Sequence, residues 1–408
     1  MALLWTILSI VALAHSQTFN LLQSYKGLDF FNRAFTLYEG WDPTFGYVDY
    51  VSLTVAEQYG LVNITEIGKT GIARWGVDTS SILDPNANLG RKSLRLHSVQ
   101  TFTHGLFVLD VAHVPADVCG TWPAFWLLGN GVWPTTGEVD IIEQTNNQKS
   151  NIMSLHSDSV PNCTIAGTGQ SGTLLTNDCA YANSYTGCTV SSNQLSGAAL
   201  NGAGGGVFVL LWTSQGMQMW TFHRSEIPPS IKSKTKAPLL SEFGLPVANF
   251  QGSCDFDAHF HEQQMIFNTD FCGSNAGETF QTHGCPMATS KSWESCNIFV
   301  ANTPQAFLES YWEVNYLNVY EVVSAPAVPA SAPEAPRDFT SYAGATWPAS
   351  WTAPAPFSTP TRAPANNPKV PRPVMGQTVV NPSVETAGPD MTKRDYSLGR
   401  LPSAFGRA

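Results

Sequence analysis

Short runs of alternating apolar and polar residues recur along residues 17–322, separated by Gly, Pro, Asn and Asp. Runs such as SLRLHSVQ, LFVLDVAHV and MQMWTFH carry β-branched or aromatic residues at many alternate positions. This period of two is typical of half-buried strands, and long segments with the 3.6-residue period of a helix are scarce. The pattern therefore predicts an all-β domain whose short strands form a two-sheet sandwich or jelly roll.

Composition excludes several classes of partner. Charged residues make up 13% of the 408 residues, and the formal net charge is −10. An ordinary soluble domain contains about 25% charged residues. With so few Lys and Arg side chains, the chain has no basic surface for a phosphate backbone or for anionic lipid headgroups. We expect a monomer that binds no nucleic acid and, after removal of its leader, no membrane.

The two ends of the chain differ from the region between them. Residues 2–14 are almost wholly apolar and precede a small-x-small site at 14–16, which predicts a signal peptide over 1–16 and a secreted, extracellular protein. An uncleaved anchor is the alternative, although the run is short for a membrane span. Residues 323–408 are rich in Pro and Ala and contain no cysteine. Such a tail cannot bury enough apolar surface to offset its ordering entropy, so we expect it to be disordered and 17–322 to be one domain.

Eight cysteines lie between the leader and the tail. An even number in a secreted chain predicts four disulfides, whose connectivity the sequence leaves open. A zinc site is the alternative, but the chain has no C-x2-C pair. Asn63-Ile-Thr and Asn162-Cys-Thr match the N-glycosylation pattern, so Asn63 and Asn162 are predicted surface positions. The cysteines are Cys119, Cys163, Cys179, Cys188, Cys254, Cys272, Cys285 and Cys296.

One strand-like segment, GEVDIIEQ at 137–144, places three carboxylates among apolar residues. On a flat strand Glu138 and Asp140 share one face, while Glu143 points to the other. A one-residue bulge within residues 141–142 would bring all three onto the same face. The Cα atoms of Glu138 and Glu143 would then lie roughly 13 Å apart, at ~3.3 Å per strand residue. Three acids on an apolar strand are costly unless that face lines a solvated cleft.

This arrangement suits glycosidic bond cleavage. Two glutamates that lean towards each other could approach the ~5–5.5 Å carboxyl separation of a retaining glycosidase. Glu138 would then be the nucleophile and Glu143 the acid/base, while Asp140 adjusts the basicity of the nucleophile. Packed like charges raise at least one pKa, which helps to keep Glu143 protonated. The alternatives are an acidic strand edge without chemistry and a calcium site.

Residues 119–144, CGTWPAFWLLGNGVWPTTGEVDIIEQ, resemble glycoside hydrolase family 16, specifically the fungal secreted endo-1,3(4)-β-glucanases called laminarinases. The resemblance covers 17–322 and none of the tail. It implies a concanavalin A-like jelly roll with a concave substrate cleft and a retaining double displacement, and we expect no cofactor or metal. Further matching segments are DPTFGYVDYV (42–51), GRKSLRL (90–96), RSEIP (224–228), QQMIFNTDFCG (263–273) and YWEVNYLNVYE (311–321).

By the same resemblance, the three carboxylates match the family's nucleophile, assisting acid and acid/base in chain order. Four further residues match substrate-binding positions, and a structural role in the core is the alternative for each of them. Arg95 is the weakest of these matches. The four residues are Trp126, Trp133, His156 and Arg95.

Two departures from the family pattern affect the expected substrate preference. Relatives carry a tryptophan in an Asp-Trp-Ala-Gly run where this chain has Asn275, and a glutamate where this chain has Leu211. The implied function is endo-hydrolysis of β-1,3-linked glucans, with tolerance for mixed 1,3/1,4 links or 1,6 branches. The alternatives are a transglycosylase that remodels cell-wall glucan and a non-catalytic glucan-binding protein on the same fold.

Overall fold

The computed structural model describes residues 17–184, 186–193, 196–233 and 237–323. The predicted signal peptide at 1–16 and, apart from Val323, the predicted tail lie outside the described residues. The helices are α1 (Leu53–Gln58), α2 (Ile64–Thr70), α3 (Gly197–Gly202), α4 (Pro229–Lys232), α5 (Phe256–His259) and α6 (Ser292–Asn302).

The described residues contain far more strand than helix, as the alternating runs predict. The strands are β1 (Thr18–Tyr25), β2 (Phe35–Leu37), β3 (Val48–Tyr50), β4 (Ala73–Gly76), β5 (Arg91–Ser93), β6 (Arg95–Phe102), β7 (Gly105–His113), β8 (Thr121–Gly129), β9 (Glu138–Glu143), β10 (Asn151–His156), β11 (Thr164–Ile165), β12 (Thr173–Thr176), β13 (Cys188–Ser192), β14 (Gly206–Thr213), β15 (Gly216–His223), β16 (Ala248–Phe250), β17 (Gly252–Ser253), β18 (Gln263–Phe271) and β19 (Tyr311–Val323).

Two large antiparallel sheets form the body of the domain. The eight-stranded sheet has the order β12-β13-β10-β9-β8-β18-β6-β2. The seven-stranded sheet has the order β1-β19-β7-β14-β15-β16, and β4 also pairs with β19. Neighbours in space are often distant in sequence, as in a jelly roll, so the predicted two-sheet β-sandwich is confirmed.

Side-chain alternation along β8 decides which residues enter the core between the sheets. Phe125 and Leu127 are buried there, whereas Trp122 and Trp126 point to the opposite side and stay partly exposed. The ring of Phe125 stacks on Phe267 of β18 with centroids 4.3 Å apart. Burial of such rings supplies much of the energy that holds the two sheets together.

A second apolar cluster covers the opposite face of the seven-stranded sheet. Leu106 and Val108 of β7 and Leu211 of β14 contribute to it, together with Phe243 from the segment after α4. We call this the covered face. Leu211 is 5% exposed within this cluster, so the leucine lies in apolar packing on the other sheet from the three carboxylates.

The eight cysteines form four disulfides, which confirms the predicted number. The bond that spans the longest stretch of sequence closes 166 residues, and the shortest closes 9. Within the described part of the chain, no helix is both long and apolar enough to span a membrane. The pairs are Cys119–Cys285, Cys163–Cys254, Cys179–Cys188 and Cys272–Cys296.

Candidate active site

A β-bulge in β9 places the three acids on one side of the eight-stranded sheet. Asp140 pairs with Trp126 of β8 and Ile142 pairs with Phe125, so Ile141 is the extra residue. Glu138 and Glu143 pair with Leu128 and Ala124, which lie on the same side of β8 as Trp126. We call this side, which carries Glu138, Asp140 and Glu143, the acid face.

Glu138 is held by an indole on one oxygen. The Nε1 of Trp133 donates a hydrogen bond to Glu138 Oε2 at 2.7 Å. The Nε2 of His156 lies 3.9 Å from Glu138 Oε1 and 3.4 Å from Asp140 Oδ2. Burial, reinforced by the charge of Asp140, raises the pKa of Glu138 to about 8, while His156 and Trp133 oppose this rise.

Glu143 has two hydrogen-bond donors on a single oxygen. The Nε1 of Trp122 donates to Glu143 Oε1 at 2.8 Å, and the Nδ2 of Asn275 donates to the same oxygen at 3.4 Å. Burial raises the pKa of Glu143, and both donors counteract this because they stabilise the carboxylate. The sequence contained a signal for Trp122, since it precedes Trp126 by four residues and must share its side of β8.

Asp140 lies between the two glutamates and is 5% exposed. Burial and the charge of Glu143 raise the pKa of Asp140 well above its usual range. Among the described residues, no lysine or arginine forms an ion pair with any of the three acids. Within the part of the chain that the structure describes, the carboxyl groups of the acid face therefore have no lysine or arginine as an ion-pair partner.

Trp126 and Arg95 form a stacked pair beside the acids. The Cζ of Arg95 lies 5.1 Å from the centroid of the Trp126 ring, and Trp126 Nε1 donates to Asn268 Oδ1 at 2.8 Å. Arg95 is 5% exposed and forms an ion pair with Asp42 at 3.5 Å. These contacts suit a supporting role behind Trp126, and direct substrate contact by Arg95 stays a prediction.

Trp133 and His156 form the side of the site next to Glu138. Trp133 is 40% exposed, so much of its ring remains free to contact a ligand. The Trp133 ring packs edge-on against Tyr181, with centroids 4.5 Å apart. The ligand atoms of Glu138, Asp140 and His156 lie within 4.8 Å of one another, a spacing that could also accept a cation.

An antiparallel β-sandwich with carboxyl groups between tryptophan rings on one sheet is typical of proteins that bind or cleave carbohydrates. A family model described as the XgeA-like, catalytic GH16 domain matches residues 35–320. This chain belongs to glycoside hydrolase family 16.

Curated relatives are fungal. The chain is 42% identical over 323 residues to a probable endo-1,3(4)-β-glucanase of Aspergillus fumigatus, a match that covers 78% of this chain and 48% of the relative. It is 38% identical over 314 residues to the endo-1,3(4)-β-glucanase xgeA of Emericella nidulans, covering 76% and 49% respectively. The chain thus spans about half the length of these curated relatives.

Two solved structures share the fold. An elongating GH family 16 β-1,3-glucosyltransferase is 42% identical with a TM-score of 0.70, and the match covers 74% of this chain and all of that one. Laminarinase 16A from Phanerochaete chrysosporium, bound to 6-O-glucosyl-laminaritriose, is 33% identical with a TM-score of 0.68 and the same coverage. One of these relatives is thus named as a transferase and the other as a hydrolase.

Proposed function

We propose that the chain is a secreted, retaining endo-β-glucanase acting on β-1,3-linked glucans, with tolerance for mixed 1,3/1,4 links or 1,6 branches. The observation that carries this proposal is the acid face, where Glu138 and Glu143 share one side of β9 and each accepts an indole N–H. The names of the relatives support the same substrate class.

In the first step Glu138 attacks the anomeric carbon while Glu143 protonates the glycosidic oxygen. The bond between these two substrate atoms breaks, the shortened glucan leaves as an alcohol, and an ester forms between the sugar and Glu138. Trp133 and His156 favour ionised Glu138 before attack. Burial and the charge of Glu143 raise the pKa of Asp140, which favours its neutral form and so limits the negative charge beside the nucleophile.

In the second step Glu143, now a carboxylate, takes a proton from water as the water oxygen attacks the anomeric carbon. The ester bond breaks, Glu138 leaves as a carboxylate, and the sugar keeps its original configuration. The donors from Trp122 and Asn275 stabilise Glu143 in its charged state between the two steps.

Aromatic rings would hold the glucan over the acids. Trp126 lies beside Asp140 and Trp133 lies beside Glu138, so each can stack on the C–H face of a sugar ring. His156 would hydrogen-bond to the sugar next to Glu138. We assign Arg95 to this set only through its support of the Trp126 ring.

A transglycosylase is the second candidate because the glucosyltransferase relative is 42% identical to this chain. It would form the same ester with Glu138 and differ only in the acceptor, a sugar hydroxyl in place of water. Asn275 lies next to Glu143, where the acceptor must be deprotonated, so this side of the cleft decides between the two outcomes.

Incubation with laminarin, followed by a count of reducing ends and by product sizing, tests these candidates. New reducing ends support hydrolysis, and products longer than the substrate support transfer. A non-catalytic glucan-binding protein would produce neither new reducing ends nor longer products. It would still bind laminarin, which would slow its migration through a gel that contains laminarin. Product analysis on linkage-defined β-glucans then gives the linkage preference.

Secretion and glycosylation are parts of the same proposal. Four disulfides suit an oxidising, extracellular compartment, with association to the cell wall as a narrower option. Asn63 and Asn162 are both exposed, as glycan acceptors must be. The Oδ1 of Asn63 accepts from the backbone N–H of Glu66, which leaves its Nδ2 for a glycan. Mass spectrometry of the secreted protein after glycan removal tests both positions.

A further inference from the structure

We propose that Asn151 is a positioning residue for Glu143, because its side-chain amide bridges the bulge that turns Glu143 onto the acid face. The inference rests on the proposed function, since it assigns Asn151 to the delivery of the proton by Glu143. Asn151 begins β10, is 1% exposed and does not belong to the predicted site.

The oxygen and the nitrogen of the Asn151 side-chain amide each form a hydrogen bond with the backbone of β9. The backbone N–H of Glu143 donates to Asn151 Oδ1 at 3.0 Å. The Nδ2 of Asn151 donates to the carbonyl oxygen of Ile141 at 2.9 Å. One side chain thus binds the extra residue of the bulge and the glutamate two positions later.

The strand pairing shows why this bridge is needed. β9 pairs with β10 from Glu138↔His156 to Asp140↔Ser154, and the regular pairing ends there. Beyond Asp140 the bulge disturbs the ladder, yet Ile141 and Ile142 are buried, so their surroundings cannot offer water to the backbone. The Asn151 amide has a donor and an acceptor at the right separation to replace one rung of the ladder.

The bridge has a direct consequence for Glu143. Asn151 holds its backbone, while Trp122 and Asn275 hold Oε1 of its carboxyl group. Because Oε1 already accepts two hydrogen bonds, the proton of the neutral acid belongs on Oε2, the oxygen left for the substrate. Without the bridge, β9 can lose its bulge, and a one-residue slip turns Glu143 towards the other face.

The chain contains a matched control for this chemistry. Asn201 forms the same two-point bridge on Val114, accepting from its N–H at 2.9 Å and donating to its C=O at 2.9 Å. Asn201 also contacts His113, which ends β7 in the seven-stranded sheet. Asn201→Ala therefore removes a comparable bridge away from the acid face.

The experiment compares two substrates that differ in their need for acid catalysis. Laminarin requires a proton on its leaving oxygen, whereas a 2,4-dinitrophenyl β-laminaribioside does not. We expect Asn151→Ala to lower kcat/KM on laminarin roughly 100-fold, the effect of a misplaced acid/base group. In the same variant, the first step on the dinitrophenyl substrate, measured as the initial burst of released dinitrophenol, should keep most of its rate. Azide should accelerate the second step, because it attacks the sugar ester without needing a base to remove a proton.

Asn151→Ser is the second variant in case Asn151→Ala folds poorly, and circular dichroism checks the fold of both. An equal loss on the two substrates, or no loss on either, overturns the role of Asn151. The same selective loss of activity on laminarin in Asn201→Ala also overturns the role of Asn151, because the loss would then not depend on a bridge at the acid face. If the wild-type protein cleaves neither substrate, the proposed function is wrong. If the wild-type protein is active but Asn151→Ala shows no selective loss on laminarin, only the role of Asn151 is wrong.

Discussion

Each of the two sheets carries buried acidic side chains on the side that faces away from the core, but the partners of these side chains differ. On the covered face, Asp110 of β7 accepts from Arg224 at 2.7 Å and from Asn315 at 2.8 Å. On the acid face, Glu138, Asp140 and Glu143 have indole, imidazole and amide partners and, among the described residues, no cationic Lys or Arg partner.

Under the proposed function, this difference separates an acid that stabilises the fold from acids that take part in the reaction. Asp110 is 7% exposed, and its ion pair with Arg224 at 2.7 Å compensates the burial of its carboxylate. A glycosidase acid must gain and lose its charge within one turnover, which a permanent cation would hinder. Indole and amide donors stabilise the carboxylate moderately and leave its protonation reversible, so the acid face retains raised pKa values.

The largest expected effect comes from replacing Glu138, the proposed nucleophile on the acid face. Glu138→Ser should lower laminarin cleavage by about 10⁴-fold or more, because no covalent ester can form. Laminarin affinity should stay close to that of the wild type, since the Trp126 and Trp133 rings remain. Initial rates and isothermal titration calorimetry measure the two quantities. Full activity in Glu138→Ser would remove Glu138 as the nucleophile.

A second experiment follows the stability of the acid face with pH. Burial raises the pKa of Glu138 from about 4.5 to about 8, so its contribution to stability is complete below pH 4.5. It is lost as the pH rises towards 8, because the unfolded chain releases the proton before the folded protein does. Glu138→Gln should therefore lose less stability than wild type between pH 5 and pH 8. Urea unfolding of both proteins at these pH values measures the difference, and parallel curves would contradict it.

The matching change on the covered face should affect stability alone. Asp110→Asn keeps the shape of the side chain but leaves Arg224 without its carboxylate, which should cost about 1–2 kcal/mol of unfolding free energy. Arg224 is partly exposed, so water offsets some of the loss. Chemical denaturation measures the cost, and kcat/KM on laminarin should not change. A tenfold loss of activity would show that the two faces are coupled.

The smallest expected effect is a shift in the pH profile. Trp122→Phe removes the stronger donor to Glu143 Oε1, so the pKa of Glu143 should rise and the alkaline limb of the kcat/KM profile should move to higher pH. Trp220→Phe is the control, since Trp220 donates to the carbonyl of Gly244 on the covered face. An unmoved limb in Trp122→Phe, or an equal shift in both variants, would contradict the assigned donor.

Much of the fold and of the acid face could be predicted from local patterns. Alternation of period two predicts the strands, and the spacing of Glu138, Asp140 and Glu143 predicts a bulge that the structure shows at Ile141. The roles of the three acids and of Trp126, Trp133 and His156 stay predictions, and the structure shows only that these residues lie on or beside the acid face.

Other features depend on contacts between distant parts of the chain. Arg95 reaches Asp42, and Asn275 approaches Glu143 from 132 residues away. Cys119 pairs with Cys285 across 166 residues. No local period encodes these neighbours, because they follow from the order in which strands join the sheets.

The sequence alone therefore determined the class of fold, the number of disulfides and the strand that carries the acids. These properties depend on which face each side chain takes, and a two-residue repeat is visible within a few positions. Only the tertiary structure decided which donors surround each carboxyl group and which amide bridges the bulge. The reason is that pKa and orientation depend on burial and on hydrogen-bond partners, and in a jelly roll most partners come from strands distant in sequence.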